Sequence, residues 1–507
     1  MLYMPPTHRW ALWDVWLFAE AETFYLFSLN WKPDGVRHDS FRLATSTDLV
    51  HWEDQGVILH KDPDLDSIGT GHTWKVNDTY VLNYTANKDS LQTIRFATSD
   101  DLVHWTRLGI DYESRPDERW YQVGHGGTAT DHPRWDAIYL LPSEDGNGYI
   151  GYLTATANHG PLARRGVAGC VRSPDGLKFS AVPPVTEPGL TSQIEVGAVA
   201  RIGEHWYMAA SLPQNILGER RAWPDNGIGT HYLVAERQTG PFRLPAGSNR
   251  LLSSPERWSY FGRFFELEGT VLCCHHSIAA LDARGAVMTE DGVMFAPLKE
   301  VREIELGQIA LFYWQGNDAL HGERLPLSER ELRPAFRGEI DTCTWEFDED
   351  QISCEAHGTG GVTCCELGEQ QANTGIVVDV HITLEGDNGA AGVFLGFSDS
   401  AGFALMVRAD GAVEIGCVLH APWGWGISPQ DRQSDCVAPG MAHQIKVLAR
   451  ASFVEIYCDG RLAQVVSMPQ RFRGVGLIVE DCQAVFHDLT LRRMTLDPIM
   501  ACDHEEA

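Results

Sequence analysis

The sequence predicts an all-β chain in which a five-bladed β-propeller is followed by a C-terminal β-sandwich. Three observations predict it: a motif written twice, a fivefold recurrence of paired strands, and a later region of alternating strands with Asp-Gly turns. The motif reads RLATSTDLVHW from Arg42 to Trp52 and RFATSDDLVHW from Arg95 to Trp105, 53 positions further on. Each copy joins an alternating apolar stretch to a Ser/Thr-Asp turn signal, which is typical of strand, tight turn and strand. The repeat therefore indicates architecture rather than chemistry.

The fivefold recurrence consists of units that each contain a strand of alternating apolar or aromatic residues. The anchor positions of these strands are Tyr25, Tyr80, Tyr149, Tyr207 and Val271. Their spacings of 55, 69, 58 and 64 residues are too long for most solenoid repeats and fit four-stranded propeller blades with elaborated loops. We therefore predict a propeller over residues 1–297. A pair of β-sandwich domains is the competing interpretation, but it does not explain a fivefold recurrence.

The remainder of the chain divides into three segments. Residues 298–334 resemble a connector, residues 335–495 a β-sandwich, and residues 496–507 a tail without pattern. In the sandwich segment, short alternating strands are separated by turns, and Asp410-Gly411 and Asp459-Gly460 are strong hairpin signals. This segment has no acids at matched positions. We expect it to be structural, to pack against the propeller and to contribute to self-association in a homo-oligomer.

Composition restricts the partners and the compartment. The 69 acidic and 40 basic residues give a net charge of −29, which repels a nucleic acid or an anionic membrane and favours a small neutral or cationic ligand. A signal peptide and a membrane-spanning run are not recognisable, so we expect a cytoplasmic protein. The 12 cysteines include no CxxC pair and predict free thiols. We expect no cofactor. We also expect no metal, because the adjacent His275 and His276 would point to opposite faces of a strand and could not chelate one ion together.

Three acids are the candidate catalytic residues. A propeller gathers the starts of its innermost strands around one axis, so residues about ten positions before each anchor converge. Counting back from the first, third and fourth anchors by 11, 13 and 12 residues reaches Asp14, Asp136 and Glu195. The second and fifth units have Thr70-Gly71-His72 and Arg257–Tyr260 at this position, without a carboxylate. A single acid at a strand start is more often structural, but three at equivalent positions indicate a shared site.

Convergent carboxylates are what glycoside cleavage requires. One attacks the anomeric carbon or activates water, and another, with a raised pKa, protonates the leaving oxygen. Aromatic rings beside the acids could stack on sugar faces, although strand Trp residues are as often core residues. The candidates for substrate binding next to the acids are Trp13, Trp16, Trp135 and His72.

Four stretches together resemble the β-fructofuranosidases of glycoside hydrolase family 32, within the clan of five-bladed furanosidases. They are WDVWLFAEAETFYLFSL, the ATS-x-DLVHW repeats, RWDAIYLL and IEVGAVARIGEHWYMAAS. The strands VEIYCDGRLAQ and GVGLIVEDCQAVFHDLTL are similar to the sandwich appended in that family. The resemblance implies that Asp14 is the nucleophile, that Asp136 binds sugar hydroxyls and stabilises the transition state, and that Glu195 is the general acid/base. Arg134, in the second motif, joins the candidate substrate-binding residues.

The chain also departs from the family pattern around each acid. The family has Asn-Asp-Pro-Asn-Gly at its nucleophile, Arg-Asp-Pro at its second acid, Glu-Cys or Glu-Val-Pro at its third, and Trp-Thr-Gly-Ser in its second blade. The corresponding stretches of this chain are Asp14-Val15-Trp16-Leu17, Arg134-Trp135-Asp136-Ala137, Glu195-Val196-Gly197 and Gly69-Thr70-Gly71-His72. The acids are retained and their surroundings differ, so the catalytic machinery is better defined than the substrate.

The leading hypothesis is a retaining glycoside hydrolase that acts on β-fructofuranosides or a closely related furanoside. Water, or a second sugar, would resolve its covalent intermediate, and the residues do not separate hydrolysis from transglycosylation. Two alternatives stay open. The first is an inverting glycosidase of the arabinofuranosidase or xylosidase type, and the second is a sugar-binding propeller without activity.

Overall fold

The computed structural model describes residues 2–5, 11–31, 38–124, 132–211, 229–252, 259–278, 292–326, 333–334, 343–348, 351–356, 361–366, 369–398, 401–421, 424–434 and 436–499. The chain separates into two compact units. One comprises Leu2–His276 and Val293–Leu311, and the other holds most of the chain from Phe312 onwards. None of the helices within the described ranges has the length and apolar character needed to cross a membrane.

The first unit consists of five antiparallel blades, which confirms the predicted propeller. Blade 1 contains β1 Ala11–Glu20, β2 Thr23–Trp31, β3 Ser40–Ser46 and β4 Glu53–His60. Blade 2 contains β5 Ser67–Val76, β6 Thr79–Lys88, β7 Leu91–Ser99 and β8 Thr106–Arg107. Blade 3 contains β9 Trp135–Pro142, β10 Tyr149–Thr156, β11 Gly166–Ser173 and β12 Ser180–Val182.

The last two blades follow the same strand order but differ in the number of strands described. Blade 4 contains β13 Glu195–Ile202, β14 His205–Ser211 and β15 Thr230–Ala235. Blade 5 contains β16 Ser259–Leu267, β17 Thr270–Ile278, β18 Val293–Phe295, β19 Lys299–Glu305 and β20 Gln308–Tyr313. All five anchor positions of the sequence lie on the second strand of a blade, so the fivefold spacing is the spacing of the blades.

The first strands of the blades form a closed ring. Strands β1, β5, β9, β13 and β16 each lie beside the next, and β16 returns to β1. The start of the chain fastens onto blade 5, because the Leu2 N–H donates to the Phe295 carbonyl and the Phe295 N–H donates to the Tyr3 carbonyl, both at 2.8 Å. The starts of five different strands are thereby held around one axis.

The duplicated motif closes the turn after the third strand in blades 1 and 2. In the first copy, the carboxylate of Asp48 accepts the backbone N–H groups of Val50 and His51 at 2.9 and 2.8 Å. The indole of Trp52 donates to the Leu49 carbonyl at 3.2 Å. The second copy repeats these bonds around Asp101. The motif is therefore architectural, as predicted.

Residues 298–334, which the sequence predicts as a connector, contain regular strands. They comprise β19 and β20, a 3-10 helix at Gln315–Leu320, and β21 His321–Arg324. Strand β19 completes blade 5 by pairing with β17, with Leu272 opposite Glu300. Its sequence KEVREIE resembles a loop because the outer strand of a blade exposes one face, where Arg302 pairs with Glu300. The domain boundaries themselves stay predictions.

The second unit is a β-sandwich, as predicted. One sheet contains β23 Cys343–Phe347, β24 Gln351–Ala356, β26 Ile376–Glu385, β31 His443–Arg450, β32 Phe453–Cys458, β33 Arg461–Ser467 and β35 Gln483–Met494. The other contains β22 Arg333–Pro334, β25 Gly361–Glu366, β27 Ala390–Ser398, β28 Ala401–Arg408, β29 Val413–Ala421, β30 Gly424–Gln433 and β34 Gly474–Glu480. A short helix, α1 Glu369–Thr374, precedes β26.

Both Asp-Gly pairs form hairpin turns in this unit. Gly411 has a φ of 82° between β28 and β29, and Gly460 has a φ of 77° between β32 and β33. This left-handed region is where glycine is favoured. Of the predicted tail, residues 500–507 lie outside the described part of the chain.

Candidate active site

Bulges near the starts of the first strands orient the candidate side chains. The pairing of the first and second strands shifts by one residue in blades 1, 2, 3 and 4. Asp14 and Ala137, at two of these bulges, have φ values of 44° and 37°. A bulge adds an unpaired residue and re-aims the neighbouring side chains. The backbone thus leaves regular strand geometry where the candidate acids sit.

Arg134 joins two of the predicted acids. Its Nη2 donates to the Asp136 carboxylate, and its Nη1 lies 3.6 Å from Oε1 of Glu195. Its Nε donates to Gln92 Oε1 at 3.0 Å. The side-chain amide of Gln193 also donates to Oε1 of Glu195, at 2.7 Å. Acids from blades 3 and 4 are therefore oriented by one guanidinium.

Asp14, from blade 1, completes the group of acids. Burial raises its pKa well above the ordinary value, and the charges of Glu195 and Asp136 raise it further. Arg263 and Arg134 oppose that rise. Within the described part of the chain, its buried Oδ1 has no hydrogen-bond partner. An acid so strongly perturbed beside two others marks a candidate functional site.

Thr85, which the sequence does not single out, holds Asp136, and Gly69 leaves room for this contact. The Thr85 hydroxyl donates to Oδ1 of Asp136 and accepts the Ala137 N–H at 2.9 Å. A Cβ on Gly69 would lie 2.9 Å from the Thr85 Cβ and 3.3 Å from Oδ1 of Asp136. Because Arg134 binds the other oxygen, both oxygens of Asp136 are fixed in place.

Two departures from the family pattern follow from this backbone. Ala137 occupies the family's Pro position, but its φ of 37° lies far from the value near −65° that a proline ring allows. Gly197 occupies another Pro position, and a Cβ there would lie 2.2 Å from the Gly262 carbonyl oxygen. Proline is therefore excluded at position 137, and at position 197 any side chain would collide with the Gly262 carbonyl.

Trp13 and His72 remain candidates for substrate binding. Trp13 is half-buried, with ring centroids 5.6 Å from Tyr260 and 4.8 Å from His276. The Leu140 N–H donates to Nδ1 of His72 at 3.3 Å, which leaves the proton on Nε2. Burial, and then Arg263, lowers the pKa of His72 well below its ordinary value. His72 is thus a neutral ring that can donate a hydrogen bond.

The prediction that Trp16 and Trp135 bind substrate is wrong, because both are core residues rather than platforms for a sugar. Each is 1% exposed. The Trp16 ring stacks on Phe27 at 5.4 Å, and the Trp135 ring lies 4.9 Å from Tyr121. Adjacent residues on a strand point to opposite faces, so Trp135 points away from the face of Asp136. At Trp16 the bulge in β1 reverses the alternation relative to Asp14.

Arg263 is a further charged residue that acts on the candidate acids and that the sequence does not single out. It lies on β16 and is 2% exposed, and its Nη2 donates to Thr70 Oγ1 at 3.0 Å. The signal in the sequence was an arginine inside the otherwise apolar and aromatic stretch SYFGRFF. It follows Arg257–Tyr260, the position at which the fifth blade was predicted to face the axis.

Comparisons with known proteins agree with this arrangement. Residues 17–108 match the model of the glycosyl hydrolases family 32 N-terminal domain, which confirms the predicted resemblance in blades 1 and 2. The sequence has no match among curated proteins.

Solved structures share the fold over nearly the whole chain. A sucrose-6-phosphate hydrolase from Lactobacillus gasseri has a TM-score of 0.66 at 14% identity, covering 94% of this chain and 88% of that one. A GH32 β-fructofuranosidase from Bombyx mori has a TM-score of 0.64 at 13% identity, covering 94% and 89%. An exo-inulinase from Aspergillus awamori has a TM-score of 0.60 at 13% identity, covering 93% and 94%.

Proposed function

We propose that this chain, which is GH32-like in sequence and fold, is a retaining glycoside hydrolase acting on β-fructofuranosides or a closely related furanoside. One observation carries the proposal: Asp14, Asp136 and Glu195 come from three blades and influence one another, with Arg134 bridging two of them. Paired carboxylates of this kind are the machinery of glycoside cleavage.

In the first step, Glu195 donates its proton to the glycosidic oxygen while Asp14 attacks the anomeric carbon. The bond from that carbon to the leaving oxygen breaks, and an ester forms between the sugar and Asp14. Asp136, held by Thr85 and Arg134, accepts hydrogen bonds from sugar hydroxyls, and these bonds strengthen as positive charge develops on the ring.

In the second step, Glu195 acts as a base. It takes a proton from water, whose oxygen attacks the anomeric carbon, and the ester to Asp14 breaks to restore the carboxylate. A hydroxyl of a second sugar in place of water would give transglycosylation by the same route. The ion pair with Arg134 and the hydrogen bond from Gln193, both at Oε1 of Glu195, orient this group for both proton transfers.

The departures around the acids favour a test with several sugars. A mutant of the Bombyx mori enzyme has been solved in complex with sucrose, which makes sucrose the first substrate to try. Fructo-oligosaccharides and nitrophenyl β-fructofuranoside, α-arabinofuranoside and xyloside should be assayed in parallel. The proposal expects release of fructose, with Asp14→Asn as the inactive control.

The outcomes separate the alternatives. Release of arabinose or xylose with inversion of the anomeric centre, as followed by NMR, would favour the arabinofuranosidase or xylosidase type. Sugar binding measured by calorimetry without any turnover would favour an inactive propeller.

We also propose a reducing, cytoplasmic location, which the eight free thiols among the described residues support.

A further inference from the structure

Arg263 is a buried residue that links two blades of the propeller. From β16 in blade 5, it reaches Thr70 in blade 2, where Nη2 donates to the hydroxyl at 3.0 Å. Its guanidinium carbon lies 4.6 Å from the ring centre of Phe261 and 5.8 Å from that of Trp16 in blade 1. With 2% of its surface exposed, Arg263 is built into the propeller rather than presented to solvent.

Arg263 is buried without a direct ionic partner in the described part of the chain. Its Nε has no hydrogen-bond partner there, and no carboxylate makes an ion pair with it. Arg134, by contrast, contacts both Asp136 and Glu195. A buried, unpaired guanidinium is costly and could be replaced by apolar residues if packing were its only purpose. Its position therefore calls for an explanation beyond packing.

We propose that Arg263 is a positioning residue that acts through Asp14, compensating the charge of this carboxylate and so favouring the ionised form of the nucleophile. The inference rests on the proposed function, since it assumes that Asp14 is the nucleophile. Trp16, two residues after Asp14, lies beside the guanidinium, which places the cation near the bulge that carries the acid.

The charged groups around Asp14 leave Arg263 as its principal counter-charge. Glu195 and Asp136 raise the pKa of Asp14 in addition to burial, and both Arg263 and Arg134 lower it, Arg263 more strongly. Arg134 already neutralises part of the charge on Asp136 and Glu195. Without Arg263, the three acids would share a single guanidinium.

The other titratable groups near Arg263 do not compete for this role. Burial raises the pKa of Cys274 to about 12 and also raises that of Tyr139, so both are neutral at ordinary pH. His72 is neutral because its pKa is lowered, and His276 of β17 packs against Trp13. Burial lowers the pKa of Arg263 itself to about 10, which still leaves it cationic near neutrality.

The test is the pH dependence of kcat/KM in Arg263→Gln and Arg263→Lys. An opposite charge nearby lowers the pKa of an acid by roughly 1–3 units. We therefore expect the acidic limb of the kcat/KM profile of Arg263→Gln to move to higher pH by about one pH unit or more. On that limb kcat/KM then falls roughly tenfold, and it recovers at higher pH. Arg263→Lys should keep the limb near its original position. The matched control is Arg201→Gln on β13, whose side chain is 58% exposed.

An unchanged acidic limb of the pH profile, with an equal loss of kcat/KM at every pH, would overturn the inference, as would a rise in KM alone.

A second measurement needs no turnover. Urea unfolding against pH in Arg263→Gln, Asp14→Asn and the double variant should show that Arg263→Gln extends the loss of stability to higher pH only where Asp14 is present. If the wild type releases no sugar, the proposed function fails while this cycle still tests the coupling. Additive effects at every pH would overturn the coupling even in an active enzyme.

Discussion

The hydroxyl of Thr85 donates a hydrogen bond to Oδ1 of Asp136, from a strand of the neighbouring blade. The hydroxyl oxygen of Thr85 also accepts the Ala137 N–H at 2.9 Å, so one side chain fixes both the acid and the bulge that carries it. Thr85 is 0% exposed, and water cannot replace either bond. The position of Asp136 therefore depends on blade 2 as well as on blade 3.

Thr85→Val removes this hydroxyl at nearly constant volume. We expect kcat/KM to fall by about 10²-fold through misplacement of Asp136, and the free energy of unfolding to fall by about 1–3 kcal/mol because buried polar groups lose their partners. Steady-state kinetics and urea unfolding measure the two effects. Thr85→Ser should restore most of the activity. The control Thr98→Val, on β7, should leave kcat/KM and the free energy of unfolding unchanged. Wild-type kinetics in Thr85→Val would mean that the bond to Asp136 has no catalytic importance.

Ala137→Pro restores the residue typical of the family and should be harmful here. Proline cannot adopt a φ of 37° and has no N–H to donate to Thr85, so we expect a destabilisation of about 1–3 kcal/mol and a loss of most activity. Ala137→Gly, which tolerates this φ, should retain activity. A fully active Ala137→Pro variant would show that the bulge is not needed to orient Asp136.

The fold could be predicted from the sequence, because strand alternation is a local pattern and the blades recur at similar spacings, whereas the catalytic roles of the three acids stay predictions. The anchors fell on second strands, and counting back from them reached Asp14, Asp136 and Glu195. Bulges are not visible in a sequence, which is why the sequence predicts Trp16 as a substrate-binding residue although it lies in the core. The role of Thr85 cannot be predicted from the sequence, because Thr85 lies on a second strand and its role depends on contact with another blade.

Asp14 should make the stability of the protein depend on pH. Its pKa is raised by burial and by the neighbouring acids, so the folded protein binds this proton more tightly than the unfolded chain, where the value is about 3.9. The stabilisation is complete below that value and is lost as the pH rises through the raised pKa of the folded state. Unfolding by urea from pH 4 upwards should show this fall in the wild type, and Asp14→Asn should remove it. An equal pH dependence in the two proteins would contradict the raised pKa.

Glu195→Gln should distinguish substrates by their leaving groups. A substrate with a poor leaving group, such as sucrose, needs the proton of Glu195, whereas a nitrophenyl furanoside needs little protonic help. We expect the rate of glycosidic bond cleavage to fall much more for sucrose than for the nitrophenyl substrate, as single-turnover kinetics would measure. Equal losses would indicate that Glu195 only binds sugar and that another group is the acid.

The most direct measurement is mass spectrometry of the protein after reaction with a fluorinated, activated furanoside, which slows release of the covalent intermediate. The proposed mechanism predicts a stoichiometric mass increase of one sugar on the peptide that contains Asp14, and none in Asp14→Asn. Turnover without any covalent adduct, together with inversion at the anomeric carbon, or an adduct on a different residue, would contradict the assignment of Asp14 as the nucleophile of a retaining enzyme.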